Sequence, residues 1–348
     1  MPYLNKYFLE SSQNYPERIA LKSHELSLTY RELALRVDRL AEELILQGLE
    51  RGDRVLLLLQ DKIDLLVALI AVMHAGGIAV PVRESFTAEA FDRAANDCHP
   101  LTAVSHRKQL IAFPALGDKM NCRVIFIEEI DLEAGETTAV AGDVHVQFGG
   151  ASDRRSKQMN VTVADGALLL YDGSNGQAGG RLFTHKNLLH FTFHSDDGMP
   201  HGSECCELML LPPSDVVAFS RIQSLLYAGG TAVLHNASPT PISFIQQILD
   251  EGCDAVTADV GLLMPLIKKT EALLVHFGGK LRRLELFGDS PSLQQKRKLI
   301  ELFPKALIRF HYGSAEAPQS TILELPNDRR KLDTVGRPGG RVEISIRD

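Results

Sequence analysis

Residues 55–82 constrain the fold more than any other stretch of this chain. Val55-Leu56-Leu57-Leu58-Leu59 is an unbroken apolar run of strand length, bounded by polar residues. Ile63–His74 follows with helical length and apolar character, and Ala75-Gly76-Gly77 closes it. Ile78–Val82 is a second short apolar run. Strand, helix and strand in this order form a β-α-β unit, whose crossover makes the strands parallel and lays helices over the sheet. Upstream, Leu33, Val37, Leu40, Ala41 and Leu44 form the apolar stripe of a helix within 30–48, ending at Gly48.

The rhythm returns downstream. Leu208–Leu211, a helical segment over 219–228, Gly229-Gly230 and Thr231–His235 make a second unit. Phe244–Glu251 with Ala255–Ala258 makes a third, and strand Leu284–Phe287, helix 292–302 and strand Leu307–Arg309 continue it. The expected class is α/β. Residues 132–165 break the pattern with Gly, Thr, Ser and Asp and the basic patch Arg154-Arg155-Ser156-Lys157, and read as a mobile connection between two halves. At 348 residues with 45% apolar content, the chain buries one large or two ordinary domain cores.

Charge and cysteines exclude several function classes. A net charge of −7 argues against a general nucleic-acid surface. Cys98, Cys122, Cys205, Cys206 and Cys253 lack the spacing of a zinc site or a disulfide framework and read as reduced thiols. No apolar run reaches membrane-spanning length and no apolar signal region opens the chain, so the default compartment is the cytoplasm.

The strongest chemical signal is LLLYDGSNGQAGGRLFTHKNL at 168–188. An apolar run feeds a loop with Gly173, Gly176, Gly179 and Gly180 around Ser174 and Asn175. Glycines let backbone N–H groups converge on an anion with no side chains in the way. The loop has neither the Walker pattern nor G-x-G-x-x-G, and it holds no lysine.

This loop resembles the signature loop of the acyl-adenylate-forming enzymes, a superfamily of acyl- and aryl-CoA ligases, peptide-synthetase adenylation domains and luciferases. Their pattern is roughly [YF]-T-S-G-[ST]-T-G-x-P-K-G-V-x-x-T-H. Gly173, Ser174, Gly176, Gly180, Thr184 and His185 match it, while Asn175 stands for Thr, Ala178 for Pro, Gly179 for Lys and Asp172 for Ser. Other matches follow in family order. Leu28-Thr29-Tyr30-Arg31-Glu32-Leu33 is similar to L-T-Y-x-E-L, Gly52-Asp53-Arg54-Val55 to G-D-x-V, and Ala75–Val82 to K-A-G-x-x-x-V-P. Gly288-Asp289-Ser290-Pro291 stands where the family has G-G-x-x, His311–Glu316 resembles Y-G-x-T-E, and Val335–Asp348 resembles V-G-R-P…I-x-D.

The resemblance covers nearly the whole chain. It implies a large N-terminal adenylation domain of two parallel-type sheets with flanking helices. Its sub-parts would be 1–165, 166–330 with the phosphate loop, and 331–348 as the start of a small β-barrel, without the mobile C-terminal domain. It implies ATP and AMP as nucleotides, Mg²⁺, a small carboxylic acid, and CoA or a carrier-protein thiol as acceptor. The reaction joins a carboxylate to the α-phosphate of ATP and expels pyrophosphate, so catalysis is positioning and charge neutralisation.

Residue roles follow from the same resemblance. Gly173, Ser174, Asn175, Gly176, Gly180 and Thr184 would cradle phosphates. Glu316 would bind Mg²⁺ through a carboxylate oxygen, and Ala315 replaces a threonine whose hydroxyl touches the α-phosphate. Tyr312 would stack on adenine, with Gly288, Asp289 and Ser290 as the opposite wall and Gly313 beside it; a buried core tyrosine is the other reading. Asp215, Phe219, Gly261 and Ser314 would line the acyl pocket. Asp215 stands where a gating His is common and Gly261 where Pro is usual, and Asp215 either pairs with a substrate amine or hydroxyl or is simply solvated. Arg181, two residues beyond the lysine position, is a surrogate cation or an ordinary surface arginine. His185 reads as structural, and His190 with His194 as a helix face rather than a metal pair.

Two functions compete at this level: an adenylating ligase domain, weakened as this chain, and a degenerate non-catalytic module that binds an adenine nucleotide or acyl ligand. Asp172 supports the second, since a carboxylate ~4 Å from a phosphate costs about 4 kcal/mol at an effective dielectric near 20.

Overall fold

The computed structural model describes residues 4–23, 26–83, 86–110, 122–130, 138–141, 144–147, 160–171, 179–194, 204–235, 239–314, 316–325, 327–339 and 342–345. They fall into two compact units, Met1–Arg18 with Leu28–Leu189, and Ile19–Ser27 with His190–Asp348. Among the described residues no helix is long and apolar enough to cross a membrane.

The first unit is built on a six-stranded sheet in the order Arg181–Thr184, Gly166–Leu170, Ile78–Pro81, Arg54–Leu58, Thr102–Ser105, Arg123–Phe126. All neighbours are parallel except the first two. Helix Lys62–His74 is apolar on every side, and accordingly Ile63 and the whole run Leu65–Met73 are buried. Asp61 starts this helix by accepting from the amides of Ile63 and Asp64 at 2.9 Å each.

Two of the sequence motifs prove to be parts of one turn pair. Gly52 donates its N–H to the Gly76 carbonyl at 2.9 Å, and Ile78 donates to the Asp53 carbonyl at 2.8 Å. The G-D-R-V and A-G-G segments therefore close opposite sides of the β-α-β crossover. Thr29 and Glu32 likewise form a capping box that starts helix Tyr30–Leu46.

Gly166–Leu170 and Arg181–Thr184 form an antiparallel hairpin flanking the glycine-rich loop. The compact units place this hairpin with the first sheet, because Leu168 pairs in parallel with Ala79. Within 132–165, Thr138–Ala141 and Val144–Gln147 pair as a small antiparallel sheet. The basic patch at 154–157 lies outside the described residues.

The second unit carries a nine-stranded sheet in the order Arg337–Pro338, Ala317–Leu325, Leu307–Ser314, Arg283–Phe287, Ala255–Asp259, Cys206–Met209, Thr231–Leu234, Ile19–Lys22, Ser27–Thr29. The pairings from Leu307–Ser314 through to Ile19–Lys22 are parallel. Helices Pro241–Asp250, Val260–Phe277 and Leu293–Leu302 contribute to a core with Leu208, Val256, Leu284, Leu286 and Ile308.

Glu207, Thr257, Glu285 and Arg309 are also buried along these strands. Arg221, on helix Val216–Tyr227, grips Glu207 through Nε and Nη2 at 2.9 Å each, and Thr257 Oγ1 donates to the same carboxylate. Such charges tolerate burial only when paired in this way.

Two expectations need correction. The apolar alternation of Val342–Ile346 predicts a strand, but its described part Val342–Ser345 forms none; Arg337–Pro338 instead adds a short antiparallel strand to the sheet edge at Ile322 and Thr321. Strand Leu307–Ser314 runs well past Arg309, because its antiparallel partner Ala317–Leu325 supplies hydrogen bonds to residues whose side chains are too polar to signal a buried strand.

Candidate functional site

In parallel α/β sheets ligands bind beyond the carboxyl ends of the strands. In the second unit the strands ending at Asp259, Phe287 and Ser314 open into a hollow lined by Gly288, Asp289, Ser290, Tyr312, Thr334 and Val335, with Lys296, Phe310 and His311 among its other walls. Four residues named from two separate motifs, Gly288, Asp289, Ser290 and Tyr312, are thus brought together.

Tyr312 is 55% exposed, so its ring is available to a ligand and is not a core tyrosine. Gly288 follows the strand with φ +85°, and a Cβ there would collide with Asp259 Oδ2. Asp259 meanwhile caps helix Val260–Phe277, accepting from Gly261 N at 2.7 Å and Leu262 N at 3.3 Å.

The inner wall is strongly polar. His311 Nε2 lies 2.6 Å from Glu285 Oε2, both side chains nearly fully buried. Burial pushes the Glu285 carboxyl up, but the His311 hydrogen bond and the charges of Arg221, His311 and Arg309 outweigh it and bring it down to about 2. Glu285 is therefore a carboxylate at neutral pH, and His311 Nε2 carries the proton between them. His311 Nδ1 is buried with no hydrogen-bond partner among the described residues. The His311 ring stacks on Phe287 with centroids 4.3 Å apart.

Lys296 holds the opposite rim. Its Nζ donates to the carbonyls of Leu332 at 2.8 Å and Thr334 at 3.2 Å and lies 5.7 Å from the Phe310 ring centroid. Burial lowers its pKa, against the pull of Asp333.

Tyr312 leads through Gly313 and Ser314 into a tight turn, since Ser314 pairs with Ala317. Gly313, Ser314 and Glu316 are exposed there, and Ala315 lies outside the described residues. Asp215 N-caps helix Val216–Tyr227 by accepting from Val217 N at 2.8 Å. Phe219, one turn on, is fully buried, and Gly261 sits in the first turn of helix Val260–Phe277.

In the first unit, Gly173, Ser174, Asn175 and Gly176 lie outside the described residues, as does Asp172. The stem of their loop is defined. Gly180 is required there because a Cβ would lie 2.6 Å from Leu169 Cδ1 and 2.8 Å from the Tyr171 ring. Tyr171 is anchored in turn by donating to Asp97 Oδ2 at 2.6 Å. Arg181 is half-buried opposite Leu170. Thr184 starts helix His185–His194: its hydroxyl accepts from Asn187 N at 3.2 Å and donates to Asn187 Oδ1 at 2.8 Å. His185 is completely buried, and burial lowers its pKa to about 4 against an opposing pull from Asp165.

Sequence reasoning missed Asp259, Glu285, Lys296 and the roles of His311 and Thr334. Asp259 carried a usable signal, an Asp between an apolar strand and a helix. Lys296 carried none, since Gln-Lys-Arg-Lys reads as a solvated face.

Comparisons with known proteins find relatives over nearly the whole chain and solved structures of the same fold. A linear gramicidin synthase polypeptide from Brevibacillus parabrevis is 37% identical over 99% of this chain, and tyrocidine synthase 2 from the same organism is 23% identical over 99%. This chain spans only 4% and 9% of those proteins. Among solved structures, O-succinylbenzoate coenzyme A synthetase from Bacillus subtilis in complex with AMP superimposes with a TM-score of 0.77 at 20% identity, covering 96% of this chain and 80% of that one. The N-terminal domain of FACL13 from Mycobacterium tuberculosis gives 0.79 at 17% identity, with coverage of 98% and 83%. The AMP-binding enzyme family matches residues 8–348, and the chain belongs to that family.

Proposed function

We propose that this chain is the adenylating domain of an acid–thiol ligase. It would activate a carboxylic acid as acyl-AMP, with release of pyrophosphate from ATP, for transfer to CoA or a carrier-protein thiol. The observation that carries this reading is the hollow joining the exposed ring of Tyr312 to the Gly288-Asp289-Ser290 backbone. A flat, exposed aromatic face in a shared hollow with this backbone segment suits a purine ring. The orphaned Nδ1 of His311 marks a hydrogen-bonding site in the same wall.

In this reading the loop over 173–180 binds phosphates, with Thr184 closing it and Arg181 as its nearest downstream cation. Glu316 takes Mg²⁺ through its carboxylate, the remaining ligands being phosphate and water oxygens. The metal would neutralise charge on the phosphates. Asp215, Gly261 and Ser314 contribute to the acyl pocket, whereas Phe219 is sealed in the core. Residues 331–348 open a small barrel, and the domain works in the cytoplasm.

Gly179 and Asp172 support a second reading, a nucleotide-binding module without turnover. At Gly179 the family's lysine is missing, although no atom of the described residues lies within 4 Å of where its Cβ would sit. The two readings predict different binding. If charge in the loop is wrong for ATP, AMP binds at least as well as ATP; tight Mg²⁺-dependent ATP binding well above AMP supports the ligase.

Titration calorimetry with AMP on the parent and Tyr312→Ala tests the shared core of both readings. Loss of the ring should weaken AMP by about 1–3 kcal/mol, roughly 5- to 150-fold. An unchanged affinity in a folded variant removes adenine from this hollow.

A further inference from the structure

Away from the hollow, the second unit contains a thiol pair that adenylation chemistry does not use. Cys206 begins the strand Cys206–Met209, and Cys253 lies in the turn between helix Pro241–Asp250 and strand Ala255–Asp259. Their sulfurs are 3.8 Å apart. The two segments are held in register by hydrogen bonds that do not involve the thiols. Cys206 N donates to Asp254 Oδ1 at 3.0 Å, and Asp254 N donates to the Cys206 carbonyl at 2.9 Å. A disulfide needs the sulfurs at ~2.05 Å. With the backbones clamped, side-chain rotation has less than ~2 Å to supply.

The pair is also graded in exposure and charge. Cys206 is half-buried and open to a small oxidant, whereas Cys253 is buried. Lys22 Nζ, held by Glu251 Oε2 at 2.9 Å, supplies a positive charge on this side of the sheet. The sulfur–sulfur hydrogen bond with Cys253 and the charge of Lys22 lower the Cys206 pKa, opposed by burial and by Asp254 and Glu251. Cys253 moves up for the complementary reason. The more exposed member is thus the readier nucleophile and the buried member lies within reach of it, the arrangement of an attacking and a resolving cysteine. Metal binding does not explain the pair: among the described residues no three His, Cys, Asp or Glu side chains gather to hold an ion.

We propose that Cys206 and Cys253 form a reversible redox site, which a hydroperoxide converts to a disulfide that staples strand Cys206–Met209 to the 251–254 turn. The Cys206 thiolate attacks one peroxide oxygen, breaking the O–O bond and releasing hydroxide, to give a sulfenic acid. The Cys253 thiol then displaces the sulfenic oxygen as water and forms the S–S bond. In sum two thiols lose two electrons and two protons, and hydrogen peroxide becomes two waters. A dithiol reductant reverses the step. The site is independent of the function proposed above and does not rest on it.

The test treats the full chain, first reduced, with a small molar excess of hydrogen peroxide, then alkylates free thiols and maps peptides by mass spectrometry. The expected product joins the peptides holding Cys206 and Cys253 and leaves Cys98, Cys122 and Cys205 alkylated. Closing a loop of 47 residues should raise Tm by roughly 5 °C or more, and dithiothreitol should restore the starting value. The peroxide-dependent Tm rise should vanish in Cys206→Ser and Cys253→Ser and persist in Cys205→Ser. The peptide map of the parent decides the matter even if Cys253→Ser folds poorly. A Cys205–Cys206 bridge, or Cys206 over-oxidised to sulfinic acid beside a free Cys253, would overturn the proposal.

Discussion

Arg221→Met should be among the most damaging single changes in the second unit. The side chain is apolar, unbranched and of similar length, so it leaves little cavity. What it removes is the partner of Glu207, which is 0% exposed. Two hydrogen bonds at 2.9 Å disappear, leaving the carboxylate only the Thr257 hydroxyl. Breaking one side of a buried pair costs about 3–5 kcal/mol, because the remaining charge stays desolvated. At roughly 2–4 °C per kcal/mol for a unit of this size, Tm should fall by about 6–20 °C. The assay is thermal and urea unfolding of the parent, Arg221→Met, Glu207→Met and the double variant. If the cost is the uncompensated charge, the double variant recovers at least ~2 kcal/mol relative to the sum of the singles. Additive singles, or a single variant within ~1 kcal/mol of the parent, would refute the argument.

Three further outcomes are expected. Gly288→Ala should cost ~2–3 kcal/mol in denaturant unfolding, since φ +85° disfavours a Cβ and the new atom evicts the Asp259 cap; a loss under ~0.5 kcal/mol would mean the turn relaxes freely. His185 is neutral when folded, its pKa lowered by burial to about 4 from 6.5, so the unfolded chain takes up the proton first. Its contribution is complete above about pH 6.5 and falls by ~3 kcal/mol as pH drops toward about 4. His185→Leu should flatten the stability–pH curve over that range relative to the parent, and an identical slope in both proteins refutes the assignment; His74, also lowered by burial, contributes equally to each curve. Gly179→Lys with Asp172→Ser should raise ATP affinity and steepen its salt dependence, and open space at Gly179 makes the lysine sterically acceptable. Calorimetry at low ionic strength showing parental affinity would remove the loop from phosphate binding.

The sequence by itself determined the α/β class and the β-α-β rhythm, because both rest on local apolar periods and on glycine and capping signals. The 55–82 unit follows from neighbours in the chain, whereas the Thr29–Glu32 capping box and the pairing of the Gly52 and Gly76 turns were seen only in the structure. It also named both halves of the hollow, Gly288–Ser290 and Tyr312, through motif resemblance. That these segments line one hollow was already implied by the resemblance, but only the tertiary structure decided that Tyr312 is open while Phe219 is sealed. It alone placed Glu285 against His311 and Arg221 against Glu207, pairs drawn from separate strands and a helix. No local period announces such partners, since a buried charge is recognisable only by the distant residue that neutralises it. For the same reason Cys206 and Cys253 read as unrelated thiols until parallel strand pairing set their sulfurs side by side.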